Sequence, residues 1–144
     1  MKVKKNLLKK KSKSFYFASI FLSRNCFTNC SQLYNFCRIV DDIADNNYKN
    51  KRFLLQNIYK SVTSPDTFES KYVSEIKPLI KLNIINKECL KELIYGVILD
   101  TKKKISISDK SELINYAYYV AGTVGIMMAK ILNTQNRYAY RYAV

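Results

Sequence analysis

The sequence predicts an all-α protein of a single domain, and three observations carry that expectation. Only 3 Gly and 2 Pro occur in 144 residues, too little turn chemistry for a strand-rich fold. The Leu/Ile/Lys/Glu/Tyr mix fills long uninterrupted stretches, a composition that favours helix. Apolar positions within those stretches recur at helical spacing. With 48% hydrophobic and 25% charged residues, the composition is that of a globular chain and excludes disordered and collagen-like classes. The sequence has no His, which excludes Ser-His-Asp and Cys-His nucleophile systems and His-ligated metals. Polar chemistry is left to carboxylates, Lys/Arg, Tyr, thiols or an oxygen-bound cation.

The elements follow in order. Residues 1–13, MKVKKNLLKKKSK, read as a basic tail, and 14–144 as the helical domain. Ser12 or Ser14 can cap a short aromatic helix through Leu22. A helix from Asn29 or Ser31 to about Asn46 comes next, then an amphipathic one from Lys49 to Lys60, ended by the break at Val62-Thr-Ser-Pro65-Asp66. Phe68 to Leu82 is expected to be helical with a kink near Pro78. From Glu88 to about Lys104, Leu90, Leu93, Ile94, Val97 and Ile98 share one apolar face. Ser108 or Asp109 opens a long helix over Ser111–Leu132, and Arg137–Val144 begins another.

The net charge is +14, which invites a nucleic-acid reading. Its distribution argues otherwise, because Lys2, Lys4, Lys5, Lys9, Lys10, Lys11, Lys13, Arg24 and Arg38 all precede the first carboxylate, Asp41. A solvated or membrane-surface arm explains that better than a recognition motif, and no nucleic-acid partner is expected. The apolar run Phe15–Leu22 is too short, and Ser23-Arg24-Asn25-Cys26 too poor a cleavage site, for a secretion signal. Cys26, Cys30, Cys37 and Cys89 lack paired framework spacing and read as reduced thiols of a cytoplasmic protein. Leu113–Ala129 carries no charge, but its 17 residues include Asn115, Thr123, two Gly and three Tyr, so a buried core helix is expected there rather than a membrane span.

Three of the 11 acids, Asp41, Asp42 and Asp45, fall within five residues. On a helix, Tyr34, Arg38, Asp41 and Asp45 occupy one stripe, with Phe36, Ile39, Val40 and Ile43 opposite. One alternative is an ordinary surface helix on which Arg38 pairs with Asp41 or Asp42. The other is a site in which two carboxylates one turn apart bind Mg2+, a hard cation that shares its oxygen ligands with phosphates, while Arg38 contacts diphosphate oxygens. Further along, Tyr118, Gly122, Gly125 and Ala129 follow +4, +3, +4 spacing, although each glycine costs a helix about 0.8–1 kcal/mol relative to Ala. Close helix packing and a wall for a long apolar ligand both account for that face.

Ser12-Lys-Ser-Phe-Tyr16, Leu33-Tyr-Asn-Phe-Cys-Arg-Ile-Val-Asp-Asp-Ile-Ala-Asp45 and Tyr116-Ala-Tyr-Tyr-Val-Ala-Gly-Thr-Val-Gly-Ile-Met-Met128 together resemble three successive signatures of the squalene/phytoene synthases, more the phytoene type. The resemblance implies the N-terminal half of an all-α isoprenoid (terpenoid) synthase fold and head-to-head condensation of two C20 prenyl diphosphates to phytoene, or two C15 to squalene, in carotenoid or isoprenoid biosynthesis. It places Mg2+, with Mn2+ as a substitute and without NADPH, on Asp41 and Asp45, with Asp42 as an accessory acid. Arg38 and Tyr34 match the diphosphate pocket; Phe15, Tyr116, Val120, Val124 and Gly125 match prenyl-binding positions.

The family's second carboxylate motif, expected just beyond the glycine helix, has no counterpart here, since no Asp or Glu follows Glu112. The sequence therefore reads as truncated before that motif, weak or inactive alone, with a prenyl diphosphate as substrate and a complementary C-terminal half as partner. Its expected location is cytoplasmic, peripheral at a membrane surface. The alternative is a non-catalytic assembly or binding module of the same fold.

Overall fold

The structure is a computed structural model that describes residues 12–46, 49–64, 70–101 and 107–144. All regular structure among them is helical: α1 (Lys13–Ser19), α2 (Arg24–Asp45), α3 (Lys51–Thr63), α4 (Lys77–Lys81), α5 (Lys87–Asp100), α6 (Lys110–Ala117), a π turn (Tyr118–Gly122), α7 (Thr123–Ile131) and α8 (Arg137–Tyr142). Most of the basic tail, the break at Pro65-Asp66, the start of the segment expected from Phe68 and the end of the one expected to reach Lys104 lie outside the described residues.

Helix α5 is the centre of the fold, in contact with α2, α3, α7 and the π turn. Its expected apolar face holds: Leu90, Leu93, Ile94 and Val97 are buried, and Ile98 packs partly buried against them. Leu33, Phe36, Val40 and Ile43 of α2, Leu55, Ile58 and Val62 of α3, and Met127 and Ile131 of α7 join it in the core, as do Val73, Ile76, Leu79 and Ile85 in and around α4. Each such side chain contributes about 1.5–3 kcal/mol by leaving water. All four cysteines are unpaired.

The boundaries differ from expectation for local reasons. Helix α2 begins at Arg24, earlier than its apolar period suggests, because the Ser23 side chain accepts from the Cys26 amide and the Cys26 thiol reaches the Ile131 carbonyl at the end of α7. Pro78 does not kink a long helix. It stands in the first turn of the five-residue α4, where its missing N–H costs nothing. Helix α6 is opened by a reciprocal cap, in which Asp109 accepts from the Glu112 amide and Glu112 from the Ser108 amide. Helices α4 and α7 both stop at an Asn in the left-handed region, Asn83 (φ 53°) and Asn133 (φ 52°). The amides of Ile84 and Thr134 then return to the Leu79 and Ala129 carbonyls, the closing bonds of a Schellman motif. With so few glycines available, asparagine does the stopping.

The uncharged stretch Leu113–Ala129 is only half core. Leu113 and Ile114 are exposed and nothing in α6 is buried, whereas Gly122, Thr123, Met127 and Ala129 are. No helix among the described residues is long and apolar enough to cross a membrane.

Candidate active site

Helix α2 presents Tyr34, Arg38, Asp41 and Asp45 along one flank because its apolar residues are held on the other. Phe15 of α1 lies over Tyr34, with ring centroids 6.4 Å apart, so the first two sequence signatures meet. Asp41 is half-buried and Asp45 exposed. Burial pushes the Asp41 carboxyl above its ordinary value, and Asp45, Asp42 and Asp100 add to the rise, while Arg38 opposes it.

Arg38 does not face Asp41 and Asp45 freely. Its guanidinium pairs with Asp42 at 2.6 Å, both side chains being about a third exposed or more (35% and 40%). Such a pair contributes only ~0.3–0.5 kcal/mol. The Arg38 Nε is nevertheless buried and has no hydrogen-bond partner, leaving one donor of the guanidinium unspent beside the acids. Ser31 Oγ and Asn35 Oδ1, on the same side of α2, are also buried without partners.

Asp100, in the last turn of α5, is the site residue that sequence reasoning missed. It accepts a 2.7 Å hydrogen bond from the Tyr116 hydroxyl. That bond, then burial, then the charges of Asp100 and Asp41, push the Tyr116 phenol up to about 12. Tyr116, from the third signature, is thereby brought to the same charges as Asp41, from the second. The available signal was spacing: Glu92, Gly96 and Asp100 repeat every four residues, and all three face the glycine helix. Glu92 accepts from the Tyr118 hydroxyl at 2.9 Å, and a Cβ on Gly96 would lie 2.7 Å from Tyr119 Cβ and 3.1 Å from Val120 Cγ1.

The π turn decides which residues of the glycine helix line up. In a continuous α-helix each four-residue step overshoots a full turn by about 40°, which would fan Tyr116, Val120 and Val124 apart. Bonding of the i→i+5 kind winds at roughly 4.4 residues per turn and brings those three close to a common line. The same change disperses the expected Tyr118, Gly122, Gly125, Ala129 stripe. Gly125 lies directly against the Ala143 carbonyl, and a Cβ on Gly122 would meet Val144 Cγ1 at 3.0 Å and Tyr118 Cδ2 at 3.2 Å. In the described structure those two glycines thus serve close packing. Val120 packs toward α5 and Val124 against the core.

Asp41, Asp42 and Asp45 offer carboxylate oxygens within one helical turn, which fits a hard cation better than a thiolate or imidazole metal. Among the described residues no group of three or more His, Cys, Asp or Glu side chains forms a ready-made metal cage. Burial, and next the Asp41 charge, hold the Cys37 thiol up at about 12, where it is a poor nucleophile.

Comparison with known proteins gives this architecture its class. The chain resembles a dehydrosqualene synthase solved in complex with a ligand, with a TM-score of 0.72 and 25% identity over 87% of this chain and 44% of that one; its fold is that of the helical isoprenoid synthases. Residues 8–144 match the squalene/phytoene synthase family, and the chain belongs to that family. Among curated relatives, it is 29% identical to the bifunctional lycopene cyclase/phytoene synthase of Neurospora crassa, over 82% of this chain and 25% of that protein. It is 25% identical to the protein of the same description from Phycomyces blakesleeanus, over 88% of this chain and 24% of that protein. The chain spans about a quarter of the length of those fungal relatives.

Proposed function

We propose that this chain supplies the first carboxylate motif and the prenyl-binding helix of a head-to-head prenyltransferase, with C20 prenyl diphosphate as substrate. The observation that carries the proposal is the meeting of three family signatures on one flank: Phe15 over Tyr34, and Tyr116 joined through Asp100 to the charges around Asp41. The phytoene synthase relatives favour C20 over C15. Asp41 and Asp45, with Asp42 accessory, would hold Mg2+, which when bound supplies charge neutralisation for a departing diphosphate.

This chain's own residues do the remaining work in the proposal. Arg38, about a third of whose side chain is exposed, would turn its guanidinium from Asp42 toward diphosphate oxygen. Loss of diphosphate from one substrate leaves an allylic cation; the double bond of the second attacks it, and the resulting carbocation gives up a proton to the released diphosphate as it closes to a cyclopropyl diphosphate. The ring faces of Tyr116, Tyr34 and Phe15 stabilise positive charge without capturing it. Val120 and Val124, each only partly buried, would give the polyprenyl chain part of an apolar bed. The second carboxylate motif would come from sequence outside these 144 residues or from another chain. Phe17, Ile20 and Phe21, which follow the basic N-terminal sequence, are 59–78% exposed, which supports peripheral contact with an anionic membrane.

Calorimetric titration of the chain with geranylgeranyl diphosphate tests the reading. Binding that requires Mg2+ and is lost in Asp41→Ala is expected, with little or no condensation product from the 144-residue chain alone. Folded protein that binds no prenyl diphosphate would favour the non-catalytic module instead.

A further inference from the structure

We propose that Asp100 is a positioning residue for Tyr116, a role that rests on the prenyltransferase reading and adds a component to its site. Tyr116 donates its hydroxyl proton to Asp100 across 2.7 Å, between helices joined by a long connection rather than within one helix. The contact is supported from the N-terminal side of α5. Eight residues earlier on α5, Glu92 accepts from Tyr118 at 2.9 Å, and between the two acids Gly96 lets the backbone around Tyr119 approach α5 more closely than any side chain would permit.

A phenol whose proton is committed to a carboxylate is fixed in torsion and has no hydrogen left to donate. Beside a reacting prenyl diphosphate this matters in two ways. Tyr116 is held as an aromatic wall at one orientation, and it cannot protonate the diphosphate or the alkene. Asp100 acts through Tyr116 rather than through a metal ion, which separates its role from that proposed for Asp41 and Asp45. The charge of Asp100 also reaches Asp41, so a purely electrostatic role is the competing account; the two are distinguished by an amide, which keeps a hydrogen-bond acceptor but not the charge.

The test uses the full 144-residue chain labelled with 3-fluorotyrosine, the Tyr116 fluorine resonance being assigned by its loss in Tyr116→Phe, and titrates it with geranylgeranyl diphosphate and Mg2+. In wild type and Asp100→Asn, the Tyr116 resonance is expected to sit away from the free tyrosine position and to move on binding. In Asp100→Ala it is expected to collapse toward that position, with affinity falling roughly tenfold, the effect of a lost charged hydrogen bond. Tyr116→Phe should fall as far, and the double variant no further. Unchanged resonance and affinity in Asp100→Ala, or equal damage from Asp100→Asn and Asp100→Ala, would overturn the proposal. If Asp100→Ala does not fold, Tyr116→Phe decides alone, undiminished affinity overturning it. Wild-type chain that is folded and binds no geranylgeranyl diphosphate removes the prenyltransferase reading itself and this role with it, a result visible before any variant is compared.

Discussion

Gly96 of α5 and Tyr119 of the π turn are in direct apposition: a Cβ added to the glycine would stand 2.7 Å from Tyr119 Cβ, with Val120 Cγ1 at 3.1 Å. Neither neighbour is the loose end of a flexible side chain. Gly96→Ala must therefore push α5 and the glycine helix apart, at a cost of about 1–3 kcal/mol. Urea unfolding should show a lower midpoint with an unchanged slope, and the Tyr116–Asp100 bond should weaken with it.

Asp41 carries a cost of its own. Burial, followed by the nearby acids, raises its carboxyl above the ordinary value, so the folded state holds this proton more tightly than the unfolded chain does. Stability is therefore lost as pH rises from the unfolded value through the folded one. At neutral pH Asp41→Asn is expected to raise Tm while abolishing Mg2+-dependent prenyl diphosphate binding. A fall in Tm, or retained binding, would contradict the assignment.

The two phenol–carboxylate bonds predict an alkaline limit. Tyr116 and Tyr118 are each pushed up to about 12, first by their hydrogen bonds to Asp100 and Glu92. The unfolded chain gives up these protons near pH 10, so stability should decline from about there through pH 12. Denaturant midpoints measured across that range should flatten in Tyr116→Phe and Tyr118→Phe, each relative to wild type.

Asn133 occupies the left-handed region at φ 52°, where glycine is free of strain and a Cβ is not. Asn133→Gly is expected to stabilise the chain by roughly 0.5–1 kcal/mol, and Asn133→Ala to destabilise it by about 1 kcal/mol. Thermal melts of the two variants should move in opposite directions.

Ser31 is buried on α2 with its hydroxyl unpartnered. Replacing it by Ala removes an unsatisfied polar group and improves helix propensity, so Ser31→Ala should stabilise by about 1 kcal/mol. A destabilised variant would show that the hydroxyl has a partner in solution.

What could be read in advance divides along physical lines. The apolar face of α5 and the Tyr34–Arg38–Asp41–Asp45 flank were legible because helical period and burial coincide within one element. The start of α2 was not, since the residues from Arg24 to Asn29 are mostly polar and their helix is held by the Ser23 cap and a distant contact at Ile131. The choice of Arg38 for Asp42 was one of two pairings open on spacing alone. Asp100 was invisible as a site residue because its partner, Tyr116, lies across a connection whose path no local pattern specifies. The π turn left no trace, because periodicity analysis assumes constant winding.

That turn acts as a vernier between two contact systems. Upstream of it the helix answers to acids on α5 through Tyr116 and Tyr118; downstream it answers to the core through Met127 and Ile131. Five steps wound at about 82° and four at about 100° both come to roughly 400°, so removing one residue between Tyr118 and Gly122 would restore plain α winding and leave Met127 in the core. The turn thus lets the helix carry one residue more than the contacts at its two ends require, and that residue brings Tyr119 toward α5.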